Sequence, residues 1–146
     1  NSPFLDALNS GAETFAGISY TVIYTVEDEV VVPNLSDAGS SSLRTGAGAI
    51  ANISVQSVCP GHLTDHLLIG ISDPVAFALV MDALRHRGPA DPSRIGHAVC
   101  GEQLQPGVDP NSFAANFAKA GAYLTVTLAT SRHVSAPPPL AGYTQP

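Results

Sequence analysis

The sequence predicts an α/β fold in which parallel strands are flanked by helices. Residues 18–24 are apolar or β-branched at nearly every position, which is typical of a strand buried on both faces of a parallel sheet. Residues 51–58 alternate between apolar and polar side chains, which predicts a second strand. A helix start follows at Asp73. Because two such strands form only a piece of an α/β layer, we expect a partial sheet.

Short local signals define the first third of the chain. Residues 3–9 predict a helix, since Pro3 suits a first turn and Gly11 follows where a helix would end. The segment 25–33 follows the first strand and carries three consecutive acidic residues. Residues 34–48 are rich in Ser, Gly and Ala, and therefore predict a loop.

The clearest helix signal lies after the second strand. Asp73 can accept hydrogen bonds from free N–H groups, and Pro74 suits the first helical position. An apolar stripe continues the pattern until Gly88 ends it, which makes His86 a solvated residue of the last turn. Beyond it the sequence predicts a loop at 90–110, a helix in the first part of 111–130 and an extended, Pro-rich tail at 136–146.

Composition limits the classes to which the protein can belong. Its 146 residues match a single domain, with a core part at 1–100 and a C-terminal helix and tail at 101–146. The net charge of −6 argues against nucleic acid and anionic membranes as partners, because both require clustered cations. The sequence contains no run of about 18 apolar residues, so it predicts no transmembrane helix. The N-terminus lacks the pattern of a signal peptide, so we expect a mature or cut chain.

A carboxylate and an imidazole follow the two predicted strands. Asp28 lies in the acidic triplet 27–29 after the first strand, and His66 lies in the loop after the second. Asp before His in chain order fits the α/β-hydrolase triad order of Ser, then Asp, then His. A triad Asp holds the imidazole and stabilises its cation, so Asp28 and His66 are candidates for acid and base. The triplet taken alone is equally well interpreted as a solvated turn, but the apolar residues 30–32 fit a wall beside an active site.

The serine of such a triad has no motif in the sequence. No Gly-x-Ser-x-Gly string occurs. Ser72 stands in the nearest string, at residues 70–74, but it follows His66 and fits a helix cap better. The Gly-rich residues 45–49 follow no strand and lack the Lys of a phosphate loop, which makes nucleotide binding a weak hypothesis.

The spacing of histidines and cysteines gives little support for a metal site. His62 and His66 stand four residues apart, but the Pro-Gly pair just before them disfavours a helix and no third ligand is evident. Cys59 and Cys100 show no Cys-x-x-Cys spacing. They are either buried free thiols or one disulfide, whose loop of about 40 residues would stabilise the fold by about 4 kcal/mol.

Two segments together resemble lipases of the Candida antarctica lipase B type, within the α/β-hydrolase family. Residues 20–33, above all Asp28-Glu-Val-Val-Val-Pro33, resemble the strand and turn that carry the catalytic acid of that family. Residues 55–59 followed by Asp65-His66 resemble its last core strand, a disulfide cysteine and its catalytic histidine. The resemblance covers residues 3–100 and, more loosely, the helix that follows. The loop before the histidine is one residue shorter here.

The resemblance implies the C-terminal portion of an α/β-hydrolase fold, which is incomplete without an N-terminal half. It implies hydrolysis of triacylglycerol or related carboxyl esters through an acyl-enzyme. Asp28 would hold His66, and His66 would accept a proton from a serine on the N-terminal half. Val30 and Val31 match positions that line the substrate pocket of the family. No metal or organic cofactor is implied.

The resemblance also implies a secreted protein in which Cys59 and Cys100 form a disulfide. Its expected partners are an ester or lipid substrate and the half that carries the serine, with no stable insertion into a membrane. The low charged fraction of 12% agrees with a surface that another part covers. A second hypothesis is a non-catalytic binding or structural module built from hydrolase-like sequence. A third places the nucleophile at Ser72, and His62 is an alternative to His66 as the base.

Overall fold

The computed structural model describes residues 3–8 and 10–142. The chain divides into two compact units, one formed by residues 12–107 and the other by the described residues before and after them. The elements in chain order are α1 (Pro3–Leu8), β1 (Ser19–Tyr24), β2 (Ala49–Ser54), α2 (Val55–Val58), α3 (Leu68–Ile71), α4 (Pro74–Arg85), two 3₁₀ helices (Pro92–Arg94 and His97–Gly101) and α5 (Pro110–Thr130).

A two-stranded parallel sheet lies in the unit of residues 12–107. β1 pairs with β2 from Ser19 opposite Ala49 to Tyr24 opposite Ser54. The mixed α/β class and the parallel strands that the sequence predicted are therefore confirmed. Since both strands run in the same direction, the loops that follow their carboxyl ends leave from the same edge of the sheet.

The second strand ends earlier than the sequence predicted. The alternating segment 51–58 is a strand only as far as Ser54, and residues 55–58 form α2 instead. The backbone N–H of Ser57 donates to Ser54 Oγ over 3.1 Å, which caps the helical turn. Val55 and Val58 are both buried, as residues three apart on one helical face can be. The spacing of apolar residues at 55–58 is thus compatible with a helical turn as well as a strand. The strand prediction for these four residues was wrong.

The core of this unit lies between the sheet and α4. The helix packs against β1 and α2, and Val55, Val75 and Leu79 are completely buried there. Asp73 caps α4 as predicted, because its Oδ1 accepts from the backbone N–H groups of the two residues after Pro74, at 2.9 and 2.8 Å.

Cys59 and Cys100 form a disulfide, with their Cα atoms 5.5 Å apart. Of the two alternatives that the sequence left open, the disulfide is therefore confirmed and the pair of free thiols was wrong. The bond ties α2 to the second 3₁₀ helix, in a segment that the sequence predicted as loop. The two short 3₁₀ helices are therefore a correction to the loop prediction for 90–110.

An ion pair secures the end of α4. Asp82 is buried, and its carboxylate accepts from Arg94 Nε and Nη2 at 2.8 and 2.6 Å. His86, predicted as a solvated residue, is the C-cap and half exposed, but its Nδ1 lies 2.9 Å from Asp82 Oδ1. The hydrogen bonds from Arg94 hold the pKa of Asp82 well below its ordinary value, against the effect of burial.

The second unit contains α1 and the long helix α5. α5 continues to Thr130, beyond the point where β-branched residues lowered the expectation of a helix. The hydroxyls of Thr125 and Thr130 donate to carbonyls one turn back, which accommodates these residues in the helix. No described helix is both long and apolar enough to cross a membrane. Asn9 and residues 143–146, which complete the predicted first helix and tail, lie outside the described residues.

Candidate active site

Two loops meet beyond the carboxyl edge of the sheet. We call residues 25–31, which follow β1, the acid loop, and residues 59–66, which follow α2, the base loop. Within the acid loop, Asp28 Oδ1 accepts from the backbone N–H groups of Val30 and Val31 at 3.0 and 2.8 Å. This turn is local, because Asp side chains often hydrogen-bond the backbone two or three residues on. It fixes the orientation of the carboxylate.

The structure brings His66 to this carboxylate. His66 Nδ1 lies 3.0 Å from Asp28 Oδ1 and 3.1 Å from Oδ2. An ionised carboxylate only accepts hydrogen bonds, so we assign the imidazole proton to Nδ1, which leaves the lone pair on Nε2. The Asp28 side chain is 8% exposed and that of His66 is 34% exposed. The pair thus combines a shielded acceptor with an imidazole that solvent or a ligand can reach.

The electrostatics of Asp28 favour its charged form. Burial acts to raise the pKa of Asp28, but hydrogen bonds from the Val31 N–H, from His66 and from the Val30 N–H together outweigh it. The pKa of Asp28 therefore lies below its ordinary value. A carboxylate that stays ionised at neutral pH can stabilise an imidazolium beside it.

All three members of the acidic triplet contact the base loop. Glu27 Oε2 accepts from the backbone N–H of Thr64 at 3.0 Å. Glu29 Oε2 accepts from the backbone N–H of His66 at 3.2 Å. With Asp28 on the imidazole between them, the triplet is a set of contacts to the base loop and not only a solvated turn.

His62 is engaged elsewhere. Its Nε2 lies 2.6 Å from Asp73 Oδ2, with side chains 15% and 2% exposed. Asp73 is the N-cap of α4, so this pair anchors the base loop to that helix. The structure thus pairs His66, and not His62, with Asp28.

The sequence analysis did not identify Gln56, which touches both loops. Its Oε1 accepts from the backbone N–H of Val26 at 3.2 Å, and its Nε2 donates to Thr25 Oγ1 at 2.9 Å. Nε2 also donates to the carbonyl of His62 at 3.1 Å. A polar side chain between the buried residues of α2 was the only sequence signal for this role.

The remaining candidate residues lie in different surroundings. Val30 is 61% exposed and Val31 is half-buried. Ser72 is buried beside the helix cap, and no hydroxyl of the described residues is hydrogen-bonded to Nε2 of His66. Over the same residues, no group of three or more His, Cys, Asp or Glu side chains is arranged to hold a metal ion.

An open cavity of about 850 Å³ lies elsewhere in the same unit. It runs along α4 and the segment after it, and its walls include Phe77, Met81 and Val99, but neither Asp28 nor His66. A cavity is often the default hypothesis for a site. The cavity walls also hold an imidazole–carboxylate contact, between His86 and Asp82, but that carboxylate is already bound by Arg94 through two hydrogen bonds. We therefore take the Asp28–His66 pair as the candidate site.

Comparison with known proteins gives no relative from which a function could be inferred, so the inference depends on the geometry of the site. No protein-family model matches the chain, and no curated protein matches it. The arrangement itself can hold an imidazole in one tautomer and stabilise its cation. These are the properties of a general base that is oriented by a carboxylate.

Proposed function

We propose that this chain supplies the acid and the base of a serine lipase or carboxylesterase that hydrolyses triacylglycerol or related esters. The observation that carries the proposal is the contact of His66 Nδ1 with Asp28, at 3.0 Å. The resemblance of the two segments to lipases of the α/β-hydrolase family supports it. On this proposal, the sheet and its helices are the C-terminal portion of an α/β-hydrolase fold.

The proposed reaction follows from the tautomer of His66. Nε2 takes the proton of a serine hydroxyl as its oxygen attacks the ester carbonyl, and the imidazolium that forms is stabilised by Asp28. The same nitrogen then returns the proton to the leaving alcohol. A water molecule hydrolyses the acyl-enzyme in a second cycle with the same proton transfers.

We propose that the serine belongs to an N-terminal half, in the same precursor or in a separate chain. The side chains of β1 support this, because all but Tyr24 are exposed or only half-buried although their composition suits burial on both faces. A further part packed on this sheet would bury them. On the same proposal, Val30 and Val31 line the substrate pocket, and the exposure of Val30 leaves it free for an acyl chain.

The compartment is part of the proposal. Disulfides persist in oxidising environments, so the bond between Cys59 and Cys100 supports a secreted protein. The proposed reaction needs no metal or organic cofactor, because serine, histidine and aspartate supply the nucleophile and both proton transfers.

A fluorophosphonate probe tests the proposal on native material, since it labels only an activated serine. We expect labelling of a chain that co-purifies with this one, or of a longer precursor revealed by intact mass. His66→Ala should abolish labelling, whereas His62→Ala, the matched change of the second imidazole, should retain it. Ester hydrolysis that survives His66→Ala would overturn the assignment. A lone chain of 146 residues without labelling would instead support a non-catalytic module.

A further inference from the structure

We propose that Gln56 is a positioning residue, which sets the distance between Asp28 and His66 by linking the acid loop to the base loop. This inference rests on the proposed function in so far as the pair is catalytic. Gln56 touches neither side chain of the pair, so it would act through the backbone that carries them. The effect of Gln56 can nevertheless be measured on the His66 imidazole itself, without any substrate.

Both amide hydrogens of Gln56 and its carbonyl oxygen take part in this link. Oε1 accepts from Val26 in the acid loop, two residues before Asp28. One hydrogen of Nε2 goes to Thr25 and the other to the carbonyl of His62, four residues before His66. A primary amide has two donors and an acceptor, and a single side chain thereby holds both loops.

Thr25 extends the link deeper into the base loop. Its hydroxyl accepts from Gln56 and donates to the carbonyl of Thr64 over 2.8 Å, and Thr25 is completely buried. The bonds form a relay from Gln56 through Thr25 to Thr64, in which each donor polarises the next. Buried hydrogen bonds compete less with water than exposed ones.

The contacts that the two flanking glutamates make between the loops are more open to solvent. Glu27 and Glu29 are exposed residues, and they bond the base loop only through backbone N–H groups. Exposed carboxylates are screened by salt and bind modestly. We therefore assign the spacing of the loops to Gln56 and Thr25, and a supporting role to the two glutamates.

The chemistry of the link requires an amide at position 56. A Gln56→Glu change keeps the size of the side chain and an acceptor for Val26, but an ionised carboxylate donates to nothing. It would place negative charge against the carbonyl of His62, which the structure shows receiving a hydrogen bond. Gln56→Leu removes all three bonds at similar volume. Both changes should let the loops separate.

The effect of both substitutions can be measured in the full chain as the tautomer of His66. The contact with Asp28 places the imidazole proton on Nδ1, whereas a neutral imidazole free in water prefers Nε2. Ring ¹⁵N chemical shifts, recorded at mildly alkaline pH where ordinary imidazoles are neutral, distinguish the two forms. His62 provides the signal of the Nε2–H form in the same spectrum, because it meets Asp73 through Nε2.

We expect His66 to move from the Nδ1–H form to a mixture with Nε2–H in both Gln56→Leu and Gln56→Glu, while His62 stays in its original form. Gln105→Leu is the matched control, since Gln105 Nε2 donates to the carbonyl of Ile71 at 2.9 Å and to neither loop. It should leave both histidines unchanged.

Two outcomes would overturn the proposal. One is a His66 tautomer unchanged in both Gln56 variants, and the other is loss of the native far-ultraviolet circular dichroism in both variants, which would assign Gln56 to the fold as a whole. In native material that is labelled by the probe, we expect Gln56→Glu to slow labelling about 10- to 100-fold. Absence of labelling in unaltered material would count against the esterase proposal alone, since the tautomer test needs no serine.

Discussion

His62 and His66 lie four residues apart in one loop, yet each binds a different aspartate through a different ring nitrogen. His66 meets Asp28 through Nδ1 at 3.0 Å, and His62 meets Asp73 through Nε2 at 2.6 Å. The two imidazoles therefore hold opposite tautomers. One contact anchors the loop to a helix, and the other leaves Nε2 of His66 as the base of the proposed reaction.

Asp28→Asn should nearly abolish serine labelling without unfolding the chain. An asparagine offers His66 an N–H donor as well as an acceptor, which permits the wrong tautomer, and such a change lowers turnover about 10⁴-fold in a serine triad. The rate of fluorophosphonate labelling measures the effect. Asp65→Asn is the control, because Asp65 only accepts from two backbone N–H groups at the start of α3, which asparagine can also do. Equal rates for the two variants would contradict the role of Asp28.

His62→Ala should lower the free energy of unfolding by about 1–3 kcal/mol, because it leaves an oxygen of the buried Asp73 carboxylate without its partner. His66→Ala should lower it less, since its imidazole is 34% exposed. Urea denaturation monitored by circular dichroism compares the two. A larger loss in His66→Ala would show that the base loop is anchored mainly through Asp28.

Tyr24 should titrate far above the ordinary value of a tyrosine. Burial, together with the hydrogen bond that its hydroxyl donates to Asp37 over 2.6 Å, raises the pKa of Tyr24 to about 12. Because the folded-state pKa lies above the unfolded value of about 10, this stabilisation is complete below pH 10 and is lost as the pH rises toward 12. Absorbance at the tyrosinate band, compared with Tyr24→Phe, resolves the late step. A late step that persists in Tyr24→Phe would contradict the assignment.

Replacing both Cys59 and Cys100 by alanine should destabilise the fold by about 4 kcal/mol, since the disulfide closes a loop with a sequence separation of 41. The unfolding midpoint in urea should fall in this double variant as it does when a reductant is added to the original chain. The reductant should then have no further effect on the double variant. A midpoint in the double variant equal to that of the oxidised chain would show that the loop is held by other contacts.

Local features of the fold were predictable because neighbouring residues determine them. Asp73 followed by Pro74 favours a helix start, since the carboxylate can cap free N–H groups and proline suits the first turn, and α4 begins there. Residues 51–58 illustrate the limit of such reasoning. Their alternation is compatible with one long strand and also with a shorter strand followed by a helical turn. The helical turn forms because it buries both Val55 and Val58 in the same core.

The candidate site was predictable only in part. The position of Asp28 and His66 after parallel strands indicated that the two could meet, and the structure brings them together. The lipase chemistry itself stays a prediction. The role of Gln56 was not predictable, because its partner Val26 lies 30 residues away and the local sequence does not indicate such a hydrogen bond.

By itself, the sequence determined the α/β class, the helix cap at Asp73 and the two loops in which acid and base could stand. These depend on the properties of consecutive residues, such as β-branching, capping and turn formation. Only the tertiary structure decided which histidine meets Asp28 and which anchors the loop to α4. Both imidazoles have the same chemistry and lie in the same loop, and the contact that each makes depends on residues far away in the chain.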